Sequence, residues 1–194
     1  MKHEEKSFKT KKMLSAALKI LMEKEDFSKI TITQIVRESK LNRKTFYYHF
    51  EDIFRLLKWT LEEEAFAVVK GFDLLNDYEE AINFVVDYVS SNSHVISGAY
   101  NSLGRETMKK FFHEDFTEII SIVIDAANKD LNIIVSDKFK LFLAHMYTES
   151  ISGILIEQFQ NPYKNKKEET IQYLSFILKT SIPAILKQAN EKNL

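Results

Sequence analysis

Residues 27–57 read FSKITITQIVRESKLNRKTFYYHFEDIFRLL, and this stretch decides the fold. Thr31-Ile32-Thr33-Gln34 has the form of a capping box: the Thr31 hydroxyl can accept from the backbone N–H three residues on, and Gln34 can reach back. A short helix is predicted to follow, with Ile32, Ile35 and Val36 turned inward, and to stop near Lys40. Leu41 anchors the turn, and Asn42 is a favourable N-cap for a second short helix. That helix reads RKTFYYHF, residues 43–50. Phe46 and Phe50 are four apart and face the core, which leaves Arg43, Lys44, Thr45, Tyr47 and Tyr48 on or near the open side.

Two short helices joined by a three- to four-residue turn, the second with a basic and polar open face, form a helix-turn-helix. The major groove of B-DNA is about 12 Å wide and admits one helix, whose N-terminal residues reach base edges. Arg43 and Lys44 stand where guanine O6 and N7 are approached, and Thr45 offers a hydroxyl and a methyl. Tyr47 and His49 can reach phosphate oxygens. The N-terminus of the preceding helix presents free N–H groups to the same backbone. The competing reading of TFYYHF as an aromatic core helix fits poorly with Arg43-Lys44 and an Asn cap beside it.

Upstream, Leu14, Ala17, Leu18, Leu21 and Met22 recur at helical spacing, so an amphipathic helix is predicted over Phe8–Lys24, with Lys11, Lys12 and Lys19 off its stripe. Lys9, Lys11 and Lys12 suit either phosphate contact or a solvated helix end. Downstream, a longer helix is predicted over 52–70, then helices over 77–92, 94–103, 105–128, 136–160 and 166–190. Ser136-Asp137 supply a start signal, and Asn161-Pro162 a stop. LNIIV, residues 131–135, has strand composition but no evident partner, and is read as a loop or helix end.

Composition agrees with this. Of 194 residues, 4 are Gly and 2 are Pro, where average usage would give about 14 and about 10. So few chain breakers disfavour a β-sandwich or barrel, and the scattered glycines rule out a Gly-rich phosphate loop. The fold class is therefore all-α. The chain contains no Cys, which removes disulfides, thiolate nucleophiles and zinc–thiolate sites. No apolar run approaches the roughly 20 residues of a membrane span, and the opening MKHEEKSFKTKK lacks a secretory h-region. A soluble, cytoplasmic protein is expected. Residues 1–50 carry 12 Lys+Arg against 6 Asp+Glu. The net charge of the whole chain is −1, so the basic head sits on an acidic body. Such a division suits a nucleic-acid-facing end, although an ordinary fluctuation of surface charge gives the same numbers.

The 27–57 run resembles the DNA-binding domain of the TetR family of transcriptional regulators, the likeness covering residues 9–57. EDIFRLLKW (51–59) and HMYTESISGILIEQF (145–159) look closest to the branch that regulates dihydroxyacetone kinase operons. The resemblance implies a three-helix helix-turn-helix head over 1–50. It also implies a helical effector-binding and dimerisation body over 51–194, with 51–71 as the connecting helix. Carried over residue by residue, the DNA-reading and phosphate-holding roles fall on Thr33, Arg43, Lys44, Thr45, Tyr47 and His49. Two positions depart from the family. Lys40 occupies a turn position where Gly is common, and so is expected to hold a left-handed conformation. Ile53 stands where a phosphate-binding Lys is frequent, so one electrostatic contact is expected to be missing.

The function read from this is a homodimeric DNA-binding regulator, a repressor released by an unidentified small-molecule effector, acting on double-stranded DNA with a near-palindromic operator. The alternatives are an activator responding to a partner protein, or a helical dimeric adaptor or enzyme without DNA binding. Effector-pocket candidates are Tyr88, His94, Tyr100, Phe112, Phe116, His145 and Glu149, which mix polar groups with large apolar ones. Filling the pocket is expected to alter the spacing of the two recognition helices, about 34–36 Å apart in a DNA-competent dimer. The 136–160 and 166–190 helices are expected to form a four-helix bundle with their symmetry mates, through Tyr147, Ser150, Gly153, Ile154 and Glu157. His145 and Glu149 are four apart, yet a hydrogen-bonded or surface pair fits them better than a metal site. His113-Glu114-Asp115 reads as a solvated face. No HExxH motif or recognisable Ser/His/Asp context occurs, so no catalytic residue, metal or cofactor is expected.

Overall fold

The computed structural model describes residues 2–73, 76–160 and 167–194, without the side chains of Lys2, Tyr78, Glu79, Phe111, Phe112, Gln158, Phe159, Gln160 and Lys167. The described residues form helices and no strands. In order these are α1 (Lys2–Met22), a 3-10 turn (Phe27–Lys29), α2 (Ile32–Glu38), α3 (Arg43–His49) and α4 (Ile53–Leu61). A π turn (Glu62–Phe66) leads to α5 (Ala67–Val69), α6 (Tyr78–Ser91), α7 (Ser93–Leu103), α8 (Arg105–Asp130), α9 (Asp137–Gln160) and α10 (Lys167–Glu191). The expected spans hold to within a few residues, except that α1 starts six residues before Phe8. Asn161-Pro162 lies outside the described residues.

Local chemistry sets the boundaries. Thr31 and Gln34 close the expected capping box, with Thr31 N–H donating to Gln34 Oε1 at 2.8 Å. Asn42 caps α3 by accepting from Thr45 N–H at 2.8 Å, and Asp52 caps α4 by accepting from Arg55 N–H at 2.8 Å. Residues 131–135 form the loop before α9, whose first turn is held by Phe139 N–H donating to Ser136 Oγ.

The left-handed turn expected at Lys40 is present, with φ +56°. Leu41 N–H reaches back to the Val36 carbonyl at 2.9 Å, and Lys40 N–H to the Arg37 carbonyl at 3.2 Å. This bonding pattern is a Schellman cap, whose left-handed residue is usually Gly. A left-handed L-residue costs roughly 1–2 kcal/mol. Lys40→Gly is therefore expected to raise stability by about 1 kcal/mol with the turn unchanged. Urea unfolding of both forms checks this, and a loss of stability would contradict the strain.

The chain divides into two compact units, residues 1–64 with 92–104, and residues 65–91 with 105–194. In this division α4 and α7 group with the helix-turn-helix, and the break lies inside the π turn. The first unit is centred on Leu14, Leu18, Ile35, Phe46, Leu56 and Leu57, all fully buried. In the second unit Val86, Leu155 and Ile171 form a buried cluster against which Ile82, Val85, Phe116 and Ile151 pack.

Candidate nucleic-acid interface

The open face of α3 is organised around Arg43. Its guanidinium donates to Thr33 Oγ1 of α2 at 3.2 Å and to Tyr47 OH at 3.4 Å, and lies over the Tyr47 ring at 6.0 Å. The side chain is thus held in one place before any ligand arrives, although Arg43 itself is exposed. Lys44 beside it is exposed, and Thr45 is half-buried, its hydroxyl donating to Asn42 Oδ1 at 3.1 Å. Phe46, on the opposite side, is fully buried, with its ring edge-on to Tyr47 and tilted against Phe50. One helix therefore carries a core anchor and a polar face, as its spacing predicts.

Arg43 brings Thr33 and Tyr47 together, with Lys44 exposed and Thr45 half-buried elsewhere on the same helix. His49, the last residue of α3, is half-buried, 3.5 Å from Ser7 Oγ. Burial holds the His49 imidazole below its usual range, and Lys11 and His3 push in the same direction. Tyr48, expected on or near the open side but given no DNA-reading role, is 68% exposed and more open than Tyr47 at 50%. Lys11 and Lys12 both stand over the Trp59 ring, at 5.5 and 5.8 Å, and Lys12 also over Phe8. These cation–π contacts fix two positive charges near the start of the domain. Ile53 is the first residue of α4 and offers no charge.

The body's candidate residues are dispersed. His94 and Tyr100 lie on α7, in the first unit, with His94 Nε2 3.8 Å from Glu23 Oε1. Tyr88 stacks on Phe84 within α6. His145 and Glu149 are exposed on α9. Glu149 pairs with Lys109 and lies 3.5 Å from His113 Nδ1, and the His113 and His145 rings are 5.3 Å apart. The Lys109 hydrogen bond, followed by the charges of Lys109, His113 and His145, holds the Glu149 carboxyl below its ordinary range. Phe116 packs edge-on against Phe66 and lines a cavity of about 80 Å³ between α6, α8, α9 and α10. Its walls, among them Val86, Ile120, Ile151, Leu155 and Leu174, are apolar throughout. The Phe112 side chain lies outside the described residues.

On α9, Tyr147 is 6% exposed, and its hydroxyl pairs with Ser181 of α10. It therefore faces its own chain. Ser150 is exposed, and Gly153, Ile154 and Glu157 are half-buried. At 3.6 residues per turn, Ser150, Gly153 and Glu157 share a side with Phe142 and Met146. Phe142 is 67% exposed, and Phe176 on α10 is 66% exposed, with Leu141, Met146, Tyr173 and Ile177 also open.

Residues 76–180 match a family model described as the transcriptional regulator C-terminal region of the TetR type. The chain is 32% identical over 152 residues, 78% of its own length and 80% of the relative's, to the HTH-type dhaKLM operon transcriptional activator DhaS of Lactococcus lactis subsp. lactis (strain IL1403). The chain belongs to the TetR family. Its fold is that of a solved dihydroxyacetone kinase operon activator DhaS, with TM-score 0.68 and 19% identity, covering 93% of this chain and 98% of the other. The reduced form of E. coli NemR is more distant, with TM-score 0.51 and 14% identity over 87% and 97% of the two chains. This TetR-family chain is accordingly a transcriptional regulator and not an enzyme. Among its described residues, no helix is long and apolar enough to cross a membrane.

Proposed function

We propose that the chain is a cytoplasmic, homodimeric regulator that binds a near-palindromic operator through α3. The observation that carries this is Arg43, held between Thr33 and Tyr47 beside an exposed Lys44 on a capped helix. A pre-placed guanidinium loses less side-chain freedom on pairing with a guanine edge. Dimerisation is read from the open apolar side chains of α9 and α10, since an apolar face of this kind on a soluble regulator calls for a partner. A two-fold dimer presents two α3 helices to two half-sites.

On the sign of regulation, repression released by an effector and activation are both compatible with this surface. The names of the DhaS relatives, both activators of a dihydroxyacetone kinase operon, favour activation. A reporter driven by the chain's target promoter, with and without the gene, distinguishes the two. Higher output with the gene present is the expected result.

The DNA-reading roles separate by mutation. Arg43→Ala is expected to cost about 1–3 kcal/mol on the cognate site and to relax preference at one position of each half-site. Tyr47→Phe removes a hydroxyl that can reach phosphate and that also holds Arg43, and is expected to weaken binding on every sequence with a smaller loss of preference at the Arg43 position than Arg43→Ala gives. Titrations on the cognate site and its single-base mutants check both variants. An unchanged specificity profile for Arg43→Ala would remove the base-reading role.

A further inference from the structure

Lys40 is held left-handed, at φ +56°, in the turn between α2 and α3. The other left-handed positions among the described residues are Asn132, Asn193 and Gly104, types that accept this region at low cost. Lysine has no such allowance, and backbone strain that persists clusters where the residue has a use. Lys40 is exposed, and among the described residues it has no carboxylate partner. Lys19, Lys70, Lys109 and Lys140, by contrast, are each paired with an acidic side chain. Arg37, Arg43 and Lys44 share the condition of Lys40, exposed and without a carboxylate partner among the described residues. Four such cations crowd residues 37–44, with Glu38 the one acid between them.

We propose that Lys40 is a DNA-phosphate contact, a charge kept at a turn position where glycine would be unstrained. The proposal rests on the reading of α3 as the DNA-facing helix, and adds a contact outside both helices of the motif. Three Cα steps of about 3.8 Å separate Lys40 from Arg43, so the two backbone positions lie at most about 11 Å apart. The major groove is about 12 Å wide. With Arg43 at a base edge on its floor, Lys40 stands at the phosphate wall. An ammonium is a compact point charge suited to a phosphate oxygen, and such a contact positions the protein without reading sequence. It also has a signature that a merely structural lysine lacks. Each neutralised phosphate releases condensed counterions and adds about 0.9 to the slope of log K against log salt.

The test compares the full-length chain with Lys40→Asn, Lys40→Gly and Lys40→Arg on two probes, between about 50 and about 200 mM salt. One probe is the duplex that the wild-type chain enriches from random DNA, and the other is an unselected random-sequence duplex. Asn and Gly suit the left-handed turn and remove the charge, whereas Arg keeps it. With one Lys40 in each protomer of a dimer, the salt slope of both neutral variants is expected to be shallower by about 2. The fall in affinity across that salt range then shrinks roughly 10-fold. At the lower salt both neutral variants are expected to bind the two probes more weakly by a similar factor, and to melt no earlier than wild type. Lys40→Arg should keep the wild-type slope. A wild-type slope in the neutral variants overturns the proposal, and so does a weakening confined to the selected duplex. Wild-type binding with unchanged variants removes the Lys40 contact and leaves the reading of α3 standing. A wild-type chain that binds neither duplex at the lower salt overturns both.

Discussion

Phe46→Ala is expected to destabilise the helix-turn-helix unit by about 3–5 kcal/mol and to abolish operator binding with it. Phe46 is fully buried, and its ring meets Tyr47 and Phe50. Removing it leaves a cavity under the only helix that presents Arg43, Lys44 and Tyr47. Since whole domains are stable by only about 5–15 kcal/mol, a loss of this size empties much of the folded population. Tyr48→Ala is the matched control. Tyr48 is 68% exposed on the same helix, and its truncation should change stability by no more than about 0.5 kcal/mol. Chemical unfolding of both variants decides the matter, and equal costs would mean that α3 is not anchored through Phe46.

Gly153→Trp is expected to prevent the proposed dimer from forming. A Cβ at Gly153 meets nothing within 4 Å in its own chain, so a side chain can leave the helix there without an immediate clash. It projects on the side of α9 shared with the open Phe142 and Met146. Against a symmetry mate it is met twice, once from each copy, and overpacking of this kind costs about 1–3 kcal/mol or more at each contact. Light scattering at low micromolar concentration should show the monomer mass while circular dichroism stays unchanged. A variant that remains dimeric would place the interface away from Gly153. Tyr147 is a poorer probe of the same face, because its hydroxyl is engaged by Ser181 in its own chain.

The parts of this molecule legible in the sequence are those governed by near neighbours. Thr31 with Gln34, Asn42 with Thr45 and Ser136 with Phe139 are bonds between residues three apart, and each marks a helix start that the structure contains. The left-handed Lys40 was expected from the family likeness, in which Gly is common at that turn position, and the turn closes through Val36 and Arg37. The first turns of α1 were not, because KHEEKS holds no apolar residue to give a period; Glu4 and Glu5 at its positive end and the Ser7–His49 contact accompany it instead. The π turn at Glu62–Phe66 interrupts a stripe that otherwise reads as one helix, and no residue type marks it.

Long-range packing accounts for the rest. Nothing in the order of residues says that His94 will lie near Glu23, or that α7 joins the first unit. The cavity was obscured by its own chemistry. A search for polar groups among aromatics selects Tyr88, His145 and Glu149, whereas this space is lined by Val, Ile, Leu, Ala and Phe side chains that look like ordinary core. Tyr147 shares the spacing of the α9 face but points to α10, a distinction made by the crossing of two helices and not by either alone.

Binding selection from random duplex DNA with the full-length wild-type chain tests the central claim most directly. A dimer reading through α3 predicts an enriched near-palindrome whose half-site centres lie one helical turn apart, about 10–10.5 base pairs, or a multiple of it. The same selection with Arg43→Ala should lose information at one position in each half-site. Recovery of no enriched sequence, or of a lone half-site without its symmetric partner, would contradict the account.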